Sequence, residues 1–283
     1  MPTVREENFV FCDAGLVGGA VEISPADLES MVQATAAAGF KGVSLWAFHH
    51  LAAVGAGKTD DEVKALHTDA GLAVPVVESL IGWEGGDTAA IDAQCGPTFE
   101  VAARYGAKTV AGVVMSPMLE SFDAATAGLA HLGKSAADRG MRVCVEWLPW
   151  SGLPDLKSAW RMVQATGLEN VGLVVDTWHW LRQPGGPDLE TLRRVPGDRI
   201  HLVQLDDAAR EPSGDDAMME SMTQRQLPGD GDVDFAELFG VLDEIGADPI
   251  WAPEIFNPGL MALGHEEMAK RVAASTRKIL GMS

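Results

Sequence analysis

The stretch VVDTWHW, Val174 to Trp180, opens on apolar β-branched residues and then sets an aspartate, a histidine and two tryptophans within five positions. Three other apolar runs also end on polar oxygen. VCVEWLPW carries Glu146, HLVQLDD carries Gln204, Asp206 and Asp207, and WAPEIFNP carries Glu254. Side chains of a strand alternate between its two faces. Glu146 therefore shares a face with Cys144, Asp176 with Val174, Gln204 with Leu202 and Glu254 with Ala252. Small or apolar side chains lie below, and one oxygen donor tops each run. Three carboxylates brought together out of water beside an amide raise one another's pKa, and a divalent cation removes the conflict. The expected ligands are Glu146, Asp176, Gln204 and Glu254. All-oxygen ligation favours a hard ion over Zn²⁺. Mn²⁺ is the expected ion, with Mg²⁺ or Co²⁺ open.

His179, three residues past Asp176, is the expected general acid/base, since an imidazole titrates near neutrality. Glu146 and Glu254 can serve both as ligands and as proton carriers. His49 and His50 stand at the end of a second apolar run, where one of them could reach a substrate. Glu78 and Trp83 stand near the end of a third. Trp46, Trp147, Trp150, Trp178 and Trp180 cluster near run ends, where indole faces suit a sugar ring or a flat aglycone. His201 has the opposite parity to Gln204 and reads as structural. Asp206 and Asp207 read as a solvated loop start, with one of them possible beside a metal.

These residues need a scaffold that gathers the ends of parallel strands. Eight strand-length apolar runs recur, at 8–14, 42–48, 73–80, 108–115, 142–148, 171–177, 199–206 and 249–255. Helical segments separate them. Ser24-Pro25-Ala26-Asp27 is a helix start, and Thr59 to Glu62 reads as a capping box. Phe235, Leu238, Phe239, Leu242 and Ile245 form an apolar stripe at helical spacing. Glycines in AAGF, DAGL, RYGA, DRGM, ATGL and EIGA mark helix ends. Eight strand–helix units in 283 residues match a single (β/α)8 TIM barrel, read as one domain over 1–283. DAGLVGGA is glycine-rich but lacks the spacing of a dinucleotide-binding turn.

The charge balance is 21 Lys and Arg against 41 Asp and Glu, a net of −20, which repels nucleic acid and anionic membranes. The start MPTVREENFVF has no basic segment leading into an apolar one, so no secretion signal is expected. Three scattered cysteines form neither a disulfide framework nor a cysteine metal site. A cytoplasmic setting follows as the expectation.

With VEWLPW, VGLVVDTWHW, LVQLDDA, PEIFNP and RQLPGDGDVDF in view, the chain resembles the sugar phosphate isomerase/epimerase family. These are the xylose isomerase-like TIM barrels of the AP endonuclease family 2 superfamily. The resemblance is most specific over about 140–260. It implies a divalent metal held by Glu146, Asp176, Gln204 and Glu254, although many members have histidine where this chain has Gln204. It places the family's D-x-x-H histidine on His179, a substrate-orienting arginine on Arg210, and the arginine of R-x-x-P-G-x-G on Arg225. Arg210, Arg225, His49, His50, Trp178 and Glu78 are the expected substrate-binding residues. The implied activity is isomerisation or epimerisation of a keto-sugar, inosose or related carbohydrate through an enediolate. The alternative is a lyase: dehydration of a cyclic keto-acid or keto-polyol such as 3-dehydroshikimate or inosose, or β-elimination from a 3-keto-glycoside. A repair nuclease would need many strand-end histidines and a basic face, which this chain lacks. A barrel that only binds, without chemistry, would hold no metal. The expected partner is a small carbohydrate or polyol, with no nucleic acid and no membrane, and the resemblance allows a homo-oligomer.

Overall fold

The computed structural model describes residues 4–282. Eight parallel strands run in the order β1 to β8: Phe11–Cys12, Gly42–Trp46, Ala73–Leu80, Thr109–Val113, Arg142–Glu146, Val171–Asp176, Ile200–Leu205 and Ile250–Pro253. The ring is drawn together between β8 and β1, where Phe9 bridges Trp251 and the Val10 amide donates to the Trp251 carbonyl at 2.9 Å. The chain is a (β/α)8 barrel.

Helices α1 (Pro25–Ala37), α2 (Ala47–Gly55), α3 (Asp60–Asp69), α4 (Thr88–Tyr105), α5 (Phe122–Ala137) and α6 (Leu156–Thr166) wrap the first half. The second half carries α7 (Thr177–Arg182), α8 (Leu189–Leu192), α9 (Ala217–Thr223), α10 (Phe235–Glu244), α11 (Pro258–Met261) and α12 (His265–Leu280). Ser24 and Thr59 both cap as their sequences imply, each in a reciprocal capping box. The six glycines named as helix ends all have positive φ, at Gly39, Gly71, Gly106, Gly140, Gly167 and Gly246. Among the described residues no helix is long and apolar enough to cross a membrane.

Two apolar shells follow from strand alternation. The larger lies between strands and helices and includes Val143, Val145, Leu173, Val175, Val203 and Leu205. The smaller fills the barrel's interior with Val10, Val76, Ala111, Cys144, Val174, Leu202, Ile250 and Ala252. Cys144, Val174, Leu202 and Ala252 are thus the plug beneath the polar strand ends. The ladder aligns Asp176 with Gln204 and Gln204 with Ala252, so the β6 and β7 donors share one height and Glu254 stands two residues beyond it, just past β8. His201 is buried against Gly172, where a Cβ would stand 2.6 Å from the imidazole, at a point where a register shift between β6 and β7 breaks strict alternation.

Two boundaries differ from the sequence expectation. Strand β2 ends at Trp46, and α2 starts at Ala47 with no intervening loop, so His49 and His50 are helical. The first run supplies only two ladder residues before a 3₁₀ segment, Asp13–Val17, begins.

Candidate active site

The C-terminal ends of the strands open onto a cavity of about 530 Å³. Glu146 closes β5, and Asp176 closes β6. Asp176 is also the N-cap of α7: its Oδ1 accepts from the His179 amide at 2.8 Å. That cap leaves Oδ2 free to face the barrel axis and turns the His179 ring inward, where Nε2 meets Glu146 Oε1 at 3.0 Å. Trp150 and Trp178 pack edge-on against the imidazole, with centroids 5.3 and 5.4 Å away.

On the other side, Gln204 donates through Nε2 to Glu254 Oε1 at 3.1 Å and to Glu78 Oε2 at 3.2 Å. The Cys12 thiol donates to Glu254 Oε1 at 3.1 Å, and the Ser44 hydroxyl donates to Glu78 Oε1. Arg225 lies between the two groups. Its Nη1 donates to Asp176 Oδ2 at 2.7 Å, Asp206 Oδ2 at 2.5 Å and Glu254 Oε2 at 3.1 Å. Its other nitrogens are held by Ser221, Nε by the carbonyl at 3.0 Å and Nη2 by the hydroxyl at 3.0 Å.

Burial here makes charge expensive. It pushes Glu146 up to about 8, with the Asp176 charge adding and Arg225 opposing. It raises Glu254 to about 7, with Arg225 opposing and Glu146 adding. Glu78 and Asp206 are driven well above the usual carboxylate range, again chiefly by burial. Burial lowers His179 to about 4, so the imidazole is neutral at pH 7. One guanidinium therefore stands among more acidic groups than it can neutralise.

These residues suit a divalent cation. Gln204 Oε1 is buried and has no partner among the described residues, and it is the atom an oxygen donor set would use. Glu146, Asp176 and His179 bring ligand atoms within 4.8 Å of one another, as do Cys12, Glu78 and Glu254. The first group adds an imidazole to the oxygen set and the second adds a thiol. The donors therefore extend beyond the hard ions that four oxygens alone would select.

Glu146, His179, Arg225, Glu254 and Glu78 line the cavity, and Asp176 and Gln204 lie fully buried next to them, the first on Arg225 and the second on Glu254 and Glu78. Trp46 and Trp150 line the same cavity, whereas His49, His50, Arg210, Trp83, Trp147, Trp178 and Trp180 do not. His49 spends both ring nitrogens, on Asp13 Oδ2 at 2.8 Å and the Ala20 carbonyl at 2.9 Å. His50 spends both on the Tyr105 hydroxyl at 3.1 Å and Asp60 Oδ1 at 2.9 Å. Arg210 is exposed, while its backbone amide is tied to Asp232. Trp178 is fully buried behind His179, and Trp83 is buried with its indole N–H on the Leu80 carbonyl. Neither Asp206 nor Asp207 is solvated, since both are fully buried. Asp206 pairs with Arg225, while Asp207 accepts from the amides of Ala208, Gly229 and Val233 and so folds the PGDGDV loop.

Sequence reasoning missed Cys12 and Ser44, whose strands are short or apolar and offered no polar end. It also missed the wall of Phe48, Met115, Met218, Met222 and Phe256. That wall comes from loops and from α2 and α9, where no strand parity applies.

Fold and floor together define a class: a (β/α)8 barrel with a carboxylate-rich, cation-suited centre at the C-terminal ends of its strands. The model of the xylose isomerase-like TIM barrel family matches residues 32–279, and the chain belongs to that family. It is 28% identical to an inosose isomerase of Bacillus velezensis over 154 residues, covering 54% of this chain and 53% of that one. It is 27% identical to a 3-dehydroshikimate dehydratase of Pseudomonas putida over 241 residues, covering 83% of this chain and 37% of that one. The chain thus spans about half the length of the isomerase and less of the dehydratase. Among solved structures, the IOLI protein with a bound zinc atom superposes with a TM-score of 0.79 at 18% identity, over 96% of this chain and 98% of that one.

Proposed function

We propose that the chain is a divalent-metal-dependent enzyme that moves a proton next to the carbonyl of a polyhydroxylated ketone, and so isomerises or epimerises it. The observation that carries this reading is that Glu146 and Glu254 line one cavity, with His179 on Glu146, while Asp176 and Gln204 from the two strands between them lie buried alongside, bonded to Arg225 and Glu254. A bound ion would be held by those four residues and would stabilise negative charge on the substrate's carbonyl oxygen. Mn²⁺ remains the proposed ion, and the zinc of the IOLI structure supports a divalent one. His179, neutral and held by Glu146, accepts the proton from the carbon beside the carbonyl. Glu146 and Glu254 stand three strands apart around the barrel, so a proton taken on one side of that carbon can be returned on the other. Return to the neighbouring carbon is isomerisation, and return to the opposite face is epimerisation. The substrate is a keto-sugar, an inosose or a close relative, as the similarity to inosose isomerase suggests.

Loss of a β-oxygen group is the second reading. It is supported by the similarity to 3-dehydroshikimate dehydratase, and by Trp46 and Trp150, which give a leaving group an apolar berth.

The test is protein purified without chelators, assayed for metal by elemental analysis and incubated with keto-sugars and inososes in D₂O. Solvent deuterium in a product of otherwise unchanged mass supports the first reading, and a product lighter by water or by an aglycone supports the second. His179→Ala is expected to keep the metal and lose 10²-fold or more in turnover, the range of a positioned acid/base. Full activity in that variant, or a protein with neither metal nor exchange, refutes the proposal.

A further inference from the structure

The cavity is split by chemistry. Its floor is ionic, but its walls are apolar: Trp46 and Phe256 meet edge-to-face at 6.3 Å, Phe48 packs on Trp46 at 6.2 Å, and Met222 and Trp150 face the same space. The apolar surface continues to the mouth, where Met115, Met218 and Val21 line the cavity while about half exposed, at 50, 47 and 47%. A ring carrying hydroxyls on every carbon needs hydrogen-bond partners on all sides, and these walls offer few.

Size points the same way. Twelve heavy atoms of a hexose or inosose, given even the ~30 Å³ share of a liquid water each, occupy ~360 Å³. The cavity of about 530 Å³ leaves room for roughly six more.

Charge narrows the choice further. Among the described residues lining the cavity, the one Lys or Arg is Arg225, and each of its nitrogens is already engaged, by Asp176, Asp206 and Glu254 or by Ser221. No free Lys or Arg is left there for a phosphate or a carboxylate, and the chain as a whole carries −20.

We infer that the substrate is a neutral polyhydroxy ketone bearing a flat apolar substituent, which lies between Trp46, Phe256 and Met218 while the carbonyl part reaches the ionic floor. The inference rests on the proposed function for the identity of the polar half. It disfavours keto-acids and sugar phosphates at this site.

The test is calorimetric binding to the full chain loaded with Mn²⁺. The probes are the phenyl and methyl 3-keto-β-D-glucopyranosides, with the phenyl probe carrying a C6 carboxylate as the charged comparison. The phenyl probe is expected to bind roughly 10- to 100-fold tighter than the methyl one, the worth of burying an aromatic ring. The carboxylate is expected to weaken it. Trp46→Ala should remove most of that preference and leave the methyl probe within twofold. Met218→Glu, at an exposed rim position that does not endanger folding, should also cut it. Equal affinities, tighter binding of the carboxylate, or no binding of the phenyl probe overturns the inference. Deuterium exchange run on the same samples separates the two ideas. Exchange into the methyl probe without phenyl preference sinks the substituent and leaves the proposed function standing. Phenyl preference without exchange in either probe supports the ligand class and sinks the proton-transfer reading.

Discussion

Metal binding to this site should release protons in an amount fixed by two side chains. A carboxylate must be ionised to ligate. In the metal-free protein Glu146 titrates near 8 and Glu254 near 7. At pH 7 the first is about nine-tenths protonated and the second about half, while His179, lowered to about 4, has no proton to lose. Binding of one ion should therefore release ~1.4 protons at pH 7, ~0.6 at pH 8 and ~0.1 at pH 9. Apparent affinity should rise with pH over the same interval and level off above it. The assay is isothermal titration with Mn²⁺ in buffers of different ionisation enthalpy. The slope of observed heat against buffer enthalpy gives the proton count directly. Glu146→Gln should reduce the count at pH 7 to ~0.5, and His179→Ala should leave it unchanged. Release below ~0.3 proton at pH 7, or a count that does not fall by pH 9, would refute the assignment of Glu146 and Glu254 as buried, protonated ligands.

The same two groups set a stability trend in the metal-free protein. Their folded pKa values lie above the unfolded ones, so their contribution is full at low pH and is lost as pH rises through about 7 and then 8. Between pH 6.5 and 8.5 they should together lose ~2.7 kcal/mol, which His179 and His201, both held neutral in the fold and half charged at pH 6.5 once unfolded, offset by ~0.8, leaving a net loss of roughly 2 kcal/mol. Thermal unfolding should show this as a fall of several degrees, and a flat or rising Tm would count against it. Arg225→Met should leave Asp176, Asp206 and Glu254 buried without their shared cation, at a cost of about 3–5 kcal/mol. Added Mn²⁺ should recover part of the lost Tm; a variant as stable as the parent would show that the guanidinium is not what holds the carboxylates together.

The floor of the site was legible because it is periodic. An apolar residue two places below each donor, at Cys144, Val174, Leu202 and Ala252, is a strand reporting which way it faces, and each of these residues lies inside the barrel. Features set by non-periodic contacts were not legible. Nothing local says that α2 begins at once after Trp46, and that single junction turns His49 and His50 away from the cavity. Asp206 and Asp207 look like a hydrated pair, because what buries them is Thr177, Arg225 and the loop around Gly229, all distant along the chain. Arg210 and Arg225 carry the same side chain within one long connection, and only the fold separates an exposed residue from one at the centre of the ionic cluster.

Asp176 ends a strand, begins a helix, aims His179 and offers one oxygen toward the axis. Four duties on one side chain make the Asp-Thr-Trp-His segment a module that an engineer would have to move whole. Asparagine there could still cap α7 and hold the histidine in place while surrendering the anion, so that one exchange would separate architecture from charge. The lips of the cavity, built from methionines and tryptophans on separate elements, carry no such shared duties. Selection can retailor them one residue at a time over a floor it must inherit intact.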